Sequence, residues 1–254
     1  MRWLSDCPGL VCVLGAASRT KWLFPTASSD ALESLNQQRC QAFRQSAAHR
    51  VDPFAVLAWL RKGEIEAQKV ATAEYSPERF RAALRELSQC TALDADEALL
   101  RMGARCAAAG VALVSVPEIP GARVWGVTHW VNASKAIIQL SLRGKTADVM
   151  WFTFFHEAAH ILLHPKKSIF VEMADHRDRW EEEADRFAAD LLIPPATWQA
   201  VAQAKPRSRV EVQLLAERIG VAPGILVARM QKLNLLPWGH LNDLKVRVNA
   251  KQAG

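Results

Sequence analysis

The residues best able to do chemistry in this chain stand together: His156 and His160 bracket Glu157 in His156-Glu157-Ala158-Ala159-His160. Histidines four apart on an α-helix project from one face, one turn above the other. Both imidazoles can therefore reach a single Zn²⁺ at roughly 2.0–2.1 Å. Glu157, one residue along, would stand near the open coordination position, where a general base takes a proton from water. The flanking Val149, Phe152, Phe155 and Leu162 make the helix mostly apolar. Two histidines and a carboxylate are costly in such a setting unless they bind something.

Catalytic zinc usually takes three protein ligands and a water, so a third donor is required. The candidates lie in Trp180-Glu181-Glu182-Glu183-Ala184-Asp185-Arg186-Phe187-Ala188. On a helical wheel Ala184, Phe187, Ala188 and Leu191 form the core face. Glu181 points inward with them, Glu182 points to the opposite side, and Glu183 lies on the flank. Glu181 is the expected ligand, with Glu183 in reserve. Asp185, four residues after Glu181, is placed to orient a ligand histidine through its second ring nitrogen. His164 extends the stripe of His156 and His160, and either lines the cleft or ends the helix at the surface. His176 sits in a polar loop, and His49, His129 and His240 have no metal-like spacing. The sequence contains no Gly-rich phosphate loop and no nucleophile elbow.

The elements that must position these residues can be read around them. Residues 28–108 have a helical pattern. One helix over 53–70 is opened by Asp52-Pro53, and Ser76-Pro77 opens another whose Phe80, Ala83, Leu84 and Leu87 share a face. Asp94 and Asp96 lead a third through 99–108, closed by Gly110. Strands are expected over 111–116, 123–131 and 136–142, the last two separated by a turn at 132–135. A long apolar helix follows over 146–164, stopped by Pro165. After a polar loop comes a helix over 178–193, ended by Pro194-Pro195. A linker at 206–209 then leads to two short helices, 210–218 and 223–233, around Gly220-Val221. The fold class is α+β: mainly helical, with a zincin-like active-site helix packed on a small sheet. The expected divisions are 1–27 unassigned, 28–109 helical, 110–200 metallopeptidase-like, and 201–254 a basic C-terminal helical appendage.

Composition bounds the rest. The chain has 254 residues, 50% hydrophobic and 23% charged, which fits a globular protein and excludes a collagen-like repeat or coiled-coil rod. No apolar run approaches the roughly 18 residues of a membrane helix, so no membrane partner is expected. Cys7, Cys12, Cys40, Cys90 and Cys106 are odd in number and scattered, the pattern of free thiols in a reducing cytoplasm. Residues 1–17 lack the charge and apolar run of a secretory signal. Of the net charge of +6, all belongs to residues 201–254, which hold nine Lys/Arg against three acids. The body that carries the histidines is neutral.

At Trp151–His164, with Glu181–Asp185 and Phe187–Pro194 after it, the sequence resembles the ImmA/IrrE family of zinc metallopeptidases. Residues 137–143 resemble the strand that precedes the active-site helix there, and the likeness spans about 110–195. It implies His156, His160 and Glu181 as ligands of Zn²⁺ and Glu157 as general base. Residues 52–68, 79–87 and 222–247 resemble HigA-type regulators, in which an Xre-type helix-turn-helix precedes this domain. No helix-turn-helix is readable before Ser28, so loss or alteration of a DNA-binding head is expected.

These readings lead to a zinc metallo-endopeptidase acting by limited proteolysis. The resemblance implies a regulatory protein substrate, such as a repressor or antitoxin. An extended substrate is expected to add to the strand at 136–142. The rival is a non-catalytic antitoxin-like or stress-regulatory protein with a structural or vestigial metal site. Nucleic acid, if bound, would meet the basic C-terminal region through the helix pair at 214–233, though two amphipathic helices packed on the peptidase domain is the favoured reading.

Overall fold

A computed structural model describes residues 51–166, 170–173 and 179–248. The readings made for residues 1–50, for His49 and for His176 lie outside these.

Among the described residues three helices come first: α1 (Pro53–Gln68), α2 (Pro77–Ser88) and α3 (Ala95–Ala108). Each begins where its sequence provides a cap. The Asp52 carboxylate accepts from the Phe54 N–H, the Ser76 hydroxyl from Arg79 and the Asp94 carboxylate from Asp96. Such caps satisfy donors that have no partner inside the helix. The Asp94 cap sets the start of α3 at Ala95, four residues before the apolar pattern declares itself.

Strands β1 (Val111–Ser115), β2 (Val124–Asn132) and β3 (Lys135–Leu140) follow, then helix α4 (Ala147–Leu163) and strand β4 (Phe170–Met173). The sheet order is β1-β3-β2-β4, with β1 parallel to β3 and the other pairs antiparallel. This corrects two expectations. The segment between α4 and the next helix is not all loop, because Phe170–Met173 pairs with β2. And β3 has neighbours on both edges, so an extended substrate cannot add to it.

The two faces of the sheet are covered differently. On one, α1 buries Val56, Trp59 and Leu60 against Val116, Val124 and Val127. There Gln139 of β3, fully buried, donates to the Trp59 carbonyl at 2.7 Å. On the other, α4 lies across β2 and β3, and Trp151, Phe154 and Phe155 join Ile138 and Leu140 in the main core. Helix α4 is apolar around most of its circumference, as a helix covered on nearly every side must be.

The chain then adds α5 (Arg179–Leu192), α6 (Pro195–Ala204), α7 (Arg209–Ile219) and α8 (Pro223–Lys232), with a 3-10 turn at Asn242–Leu244. Helix α6 was not expected. The Pro194-Pro195 pair read as a stop also starts it, since proline at a first helical position gives up an N–H that would have no partner anyway. Helices α7 and α8 meet around Gly220, whose φ of 74° only glycine adopts freely. Helix α8 buries Ile225, Leu226, Val227 and Met230 in the same core as α2 to α4. The tail closes on α4: the Ala147 N–H donates to the Val246 carbonyl at 2.8 Å and the Val248 N–H to Lys145 at 2.9 Å. Lys245 stands 3.5 Å from the buried Asp148 carboxylate in the first turn of α4. No described helix is long and apolar enough to cross a membrane.

Candidate metal centre

Helices α4 and α5 pack side by side and bring the expected residues together. His156 Nε2 and His160 Nε2 lie 3.1 Å apart. Glu181 reaches them from α5, with Oε2 at 2.9 Å from His156 Nε2 and Oε1 at 3.4 Å from His160 Nε2. One ligand atom from each of the three residues falls within 4.8 Å of the others. The histidine side chains are 1–2% exposed and Glu181 12%. Among the described residues, no other group of His, Cys, Asp or Glu is so arranged.

The outer nitrogens are also engaged. His156 Nδ1 is 3.0 Å from Asp185 Oδ1, the contact anticipated from the i,i+4 spacing of Glu181 and Asp185. Lys232 of α8 stands 3.7 Å from the second Asp185 oxygen. His160 Nδ1 faces His164 Nδ1 at 2.8 Å. Glu183, the reserve ligand, does not join the cluster; it lies 3.4 Å from His164 Nε2 and pairs with Arg179. Glu182 faces away and is exposed.

The charge states suit a cation. Burial raises the Glu181 carboxyl, but the His156 and His160 imidazoles against it outweigh that and hold it at about 2. Burial lowers His160, favouring the neutral ring that offers a lone pair. Asp185 is likewise raised by burial and lowered further by His156, so it too is held ionised. When each ring donates its Nδ1–H outward, two Nε2 lone pairs and a carboxylate converge on one buried point. Such a convergence of acceptors is repulsive by itself and is relieved by a cation. Two imidazoles and one carboxylate are a donor set zinc accepts, and with three protein ligands a fourth position stays open.

Glu157 is fully buried and faces β2. A Cβ on Gly126 of β2 would lie 2.7 Å from Glu157 Oε1 and 2.8 Å from Thr153 Cγ2. The strand can pass the carboxylate only because residue 126 has no side chain. Beside it the Thr128 hydroxyl donates to the Glu157 carbonyl at 3.0 Å, fastening α4 to the strand. Sequence reading missed Gly126, since a glycine inside a strand pattern signals a close approach without saying to what. His164, for which the spacing allows either a cleft-lining or a surface position, is buried at the C-cap of α4 with its side chain 1% exposed. His129 occupies the sheet face away from α4, beside Glu64, Ala67 and Gln68 of α1. His240 is exposed, its ring beside the Arg207 carbonyl.

Residues 114–231 match the Peptidase_M78 family, described as an IrrE N-terminal-like domain. The matched residues hold α4, α5 and the whole cluster, and they support the resemblance to the ImmA/IrrE family, a family of metallopeptidase type. No curated protein matches the chain.

Proposed function

We propose that this protein is a zinc-dependent endopeptidase that cuts a regulatory protein, such as a repressor or antitoxin, at limited sites in the cytoplasm. The observation that carries the reading is the convergence of His156, His160 and Glu181 in one buried cluster within an IrrE N-terminal-like domain, with Glu157 beside them. The two histidines and Glu181 would hold the metal. Bound there, zinc supplies a Lewis acid that polarises a peptide carbonyl and acidifies a water. Glu157 takes the proton of the attacking water on its carboxylate and delivers it to the departing amine. Gly126 and Thr128 keep that carboxylate against β2. Asp185 holds the ring of His156. The regulatory nature of the substrate rests on the family resemblance, and the cytoplasmic setting agrees with Cys90 and Cys106, both buried and unpaired.

The test compares the proteomes of cells carrying the wild type and Glu157→Gln, followed by cleavage of the identified substrate with purified protein. The expected result is a protein cut by the wild type and left intact by the variant, with turnover down about 10²–10⁴-fold and zinc content unchanged. A Glu157→Gln protein that cleaves at the wild-type rate overturns the general base. A purified wild type that binds no zinc and melts identically with and without chelator overturns the enzyme and leaves the non-catalytic regulator.

A further inference from the structure

His164 caps α4 one turn beyond His160, and its surroundings are more specific than a helix end requires. Its Nδ1 is 2.8 Å from His160 Nδ1, and its Nε2 is 3.4 Å from Glu183 Oε2. Trp180 packs on the ring with centroids 5.3 Å apart. Trp180 and Glu183, three residues apart, form the flank of α5 that meets His164. Glu181 and Asp185, four apart, form the flank that meets His156 and His160.

Two imidazole nitrogens at 2.8 Å share one proton, because two lone pairs repel and two N–H groups collide. The lone pair of His160 that faces His156 and Glu181 is on Nε2. In a neutral ring whose Nε2 lone pair serves a cation, the proton is on Nδ1, directed at His164. His164 then accepts at Nδ1, so its own proton is on Nε2, directed at Glu183. The chain of contacts runs in one direction, from His160 through His164 to a carboxylate. Both ring nitrogens of His164 are thereby committed outside the cluster, which separates it from the ligands although it continues their stripe.

We propose that His164, held by Glu183 and Trp180, is a positioning residue that fixes the tautomer and ring plane of His160 for zinc, as Asp185 does for His156. It rests on the reading of His156, His160 and Glu181 as the zinc ligands. Outer partners of metal-bound histidines typically contribute about 10–100-fold in metal affinity.

The experiment measures zinc affinity by chelator competition on the full chain, with melting of the metal-free forms alongside. His164→Ala is expected to weaken zinc binding about 10–100-fold. His164→Asn places an amide oxygen where Nδ1 stood, accepts the His160 proton and restores most of the affinity. The metal-free alanine and asparagine variants melt alike, so a general loosening of α4 does not account for the difference. Glu183→Ala falls between wild type and His164→Ala. Wild-type affinity in His164→Ala, or no recovery in His164→Asn, overturns the positioning role while leaving the ligands intact. A wild type that binds no zinc overturns the ligand reading and this inference with it.

Discussion

Replacing Gly126 by alanine adds one methyl at the close approach of strand β2 to helix α4. The added carbon would meet Glu157 Oε1 at 2.7 Å, Thr153 Cγ2 at 2.8 Å and Glu157 Cγ at 2.9 Å. All three are closer than a real contact permits. The strand cannot retreat, because Gly126 is in register with Leu140 of β3, so the yielding parts are the Glu157 and Thr153 side chains. Overpacking of this kind costs about 1–3 kcal/mol. Gly126 has no left-handed backbone conformation, so alanine also stiffens the unfolded chain and returns about 0.4–1 kcal/mol. The net cost is about 1–2 kcal/mol, which at about 2–4 °C per kcal/mol for a protein of this size lowers the melting temperature by about 2–8 °C. Activity should fall further than stability, since moving a reacting group by about 1 Å can cost about 10²-fold. The assays are thermal melting, zinc competition and turnover of the identified substrate. Melting slightly reduced, zinc affinity retained and turnover lost about 10²-fold is the expected pattern. A Gly126→Ala protein with wild-type melting and turnover would refute the claim that the missing side chain seats Glu157.

Two further predictions concern the frame around the site. Arg229 of α8 donates to the Ala189 and Ile193 carbonyls at the end of α5, at 2.6 and 2.5 Å, and lies over the Trp198 ring at 4.5 Å. Arg229→Ala should destabilise by about 3 kcal/mol, seen by denaturant unfolding, and Arg229→Lys should recover only part, because an ammonium lacks the guanidinium fork; equal stability of the lysine variant and wild type would contradict this. Tyr75, the only tyrosine, packs edge-on to Trp130 at 4.8 Å, and burial pushes its hydroxyl up to about 12. The folded state therefore holds this proton more tightly, and the associated stability is present below pH 10 and lost between about pH 10 and 12. Phenolate absorbance should appear near pH 12 in native protein and near pH 10 in denaturant, and a native midpoint near 10 would place the ring in solvent.

Much of this site was legible because its signals are local. The i,i+4 histidines, the inward face of Glu181 and the Glu181–Asp185 spacing all depend on one helix at a time, and helical period is the strongest pattern a sequence carries. What stayed hidden depends on pairs distant along the chain. Strand β4 is four residues long and exists because β2 offers it an edge; the polar residues on either side of Phe170–Met173 make the whole segment read as a loop. The order of β3 within the sheet is a property of the whole topology, so its unsuitability for adding a substrate strand could not be read from 136–142. Gly126 and Glu157 are 31 residues apart in numbering, and the glycine's purpose is visible only when α4 lies on β2. Glu183 was correctly placed on the flank of α5, yet its partner His164 belongs to another helix.

The contact between the tail and the start of α4 also bears on when the site can form. The Ala147 N–H waits for the Val246 carbonyl, and Asp148 for Lys245. These partners emerge about 100 residues later in synthesis, a delay of about 5–20 s at typical elongation rates. During that interval the histidines of α4 already exist, but the helix that carries them lacks its final tie and much of its apolar cover. In a nascent chain the cluster therefore reaches its final geometry late, and any metal met before then finds side chains that are not yet held in place.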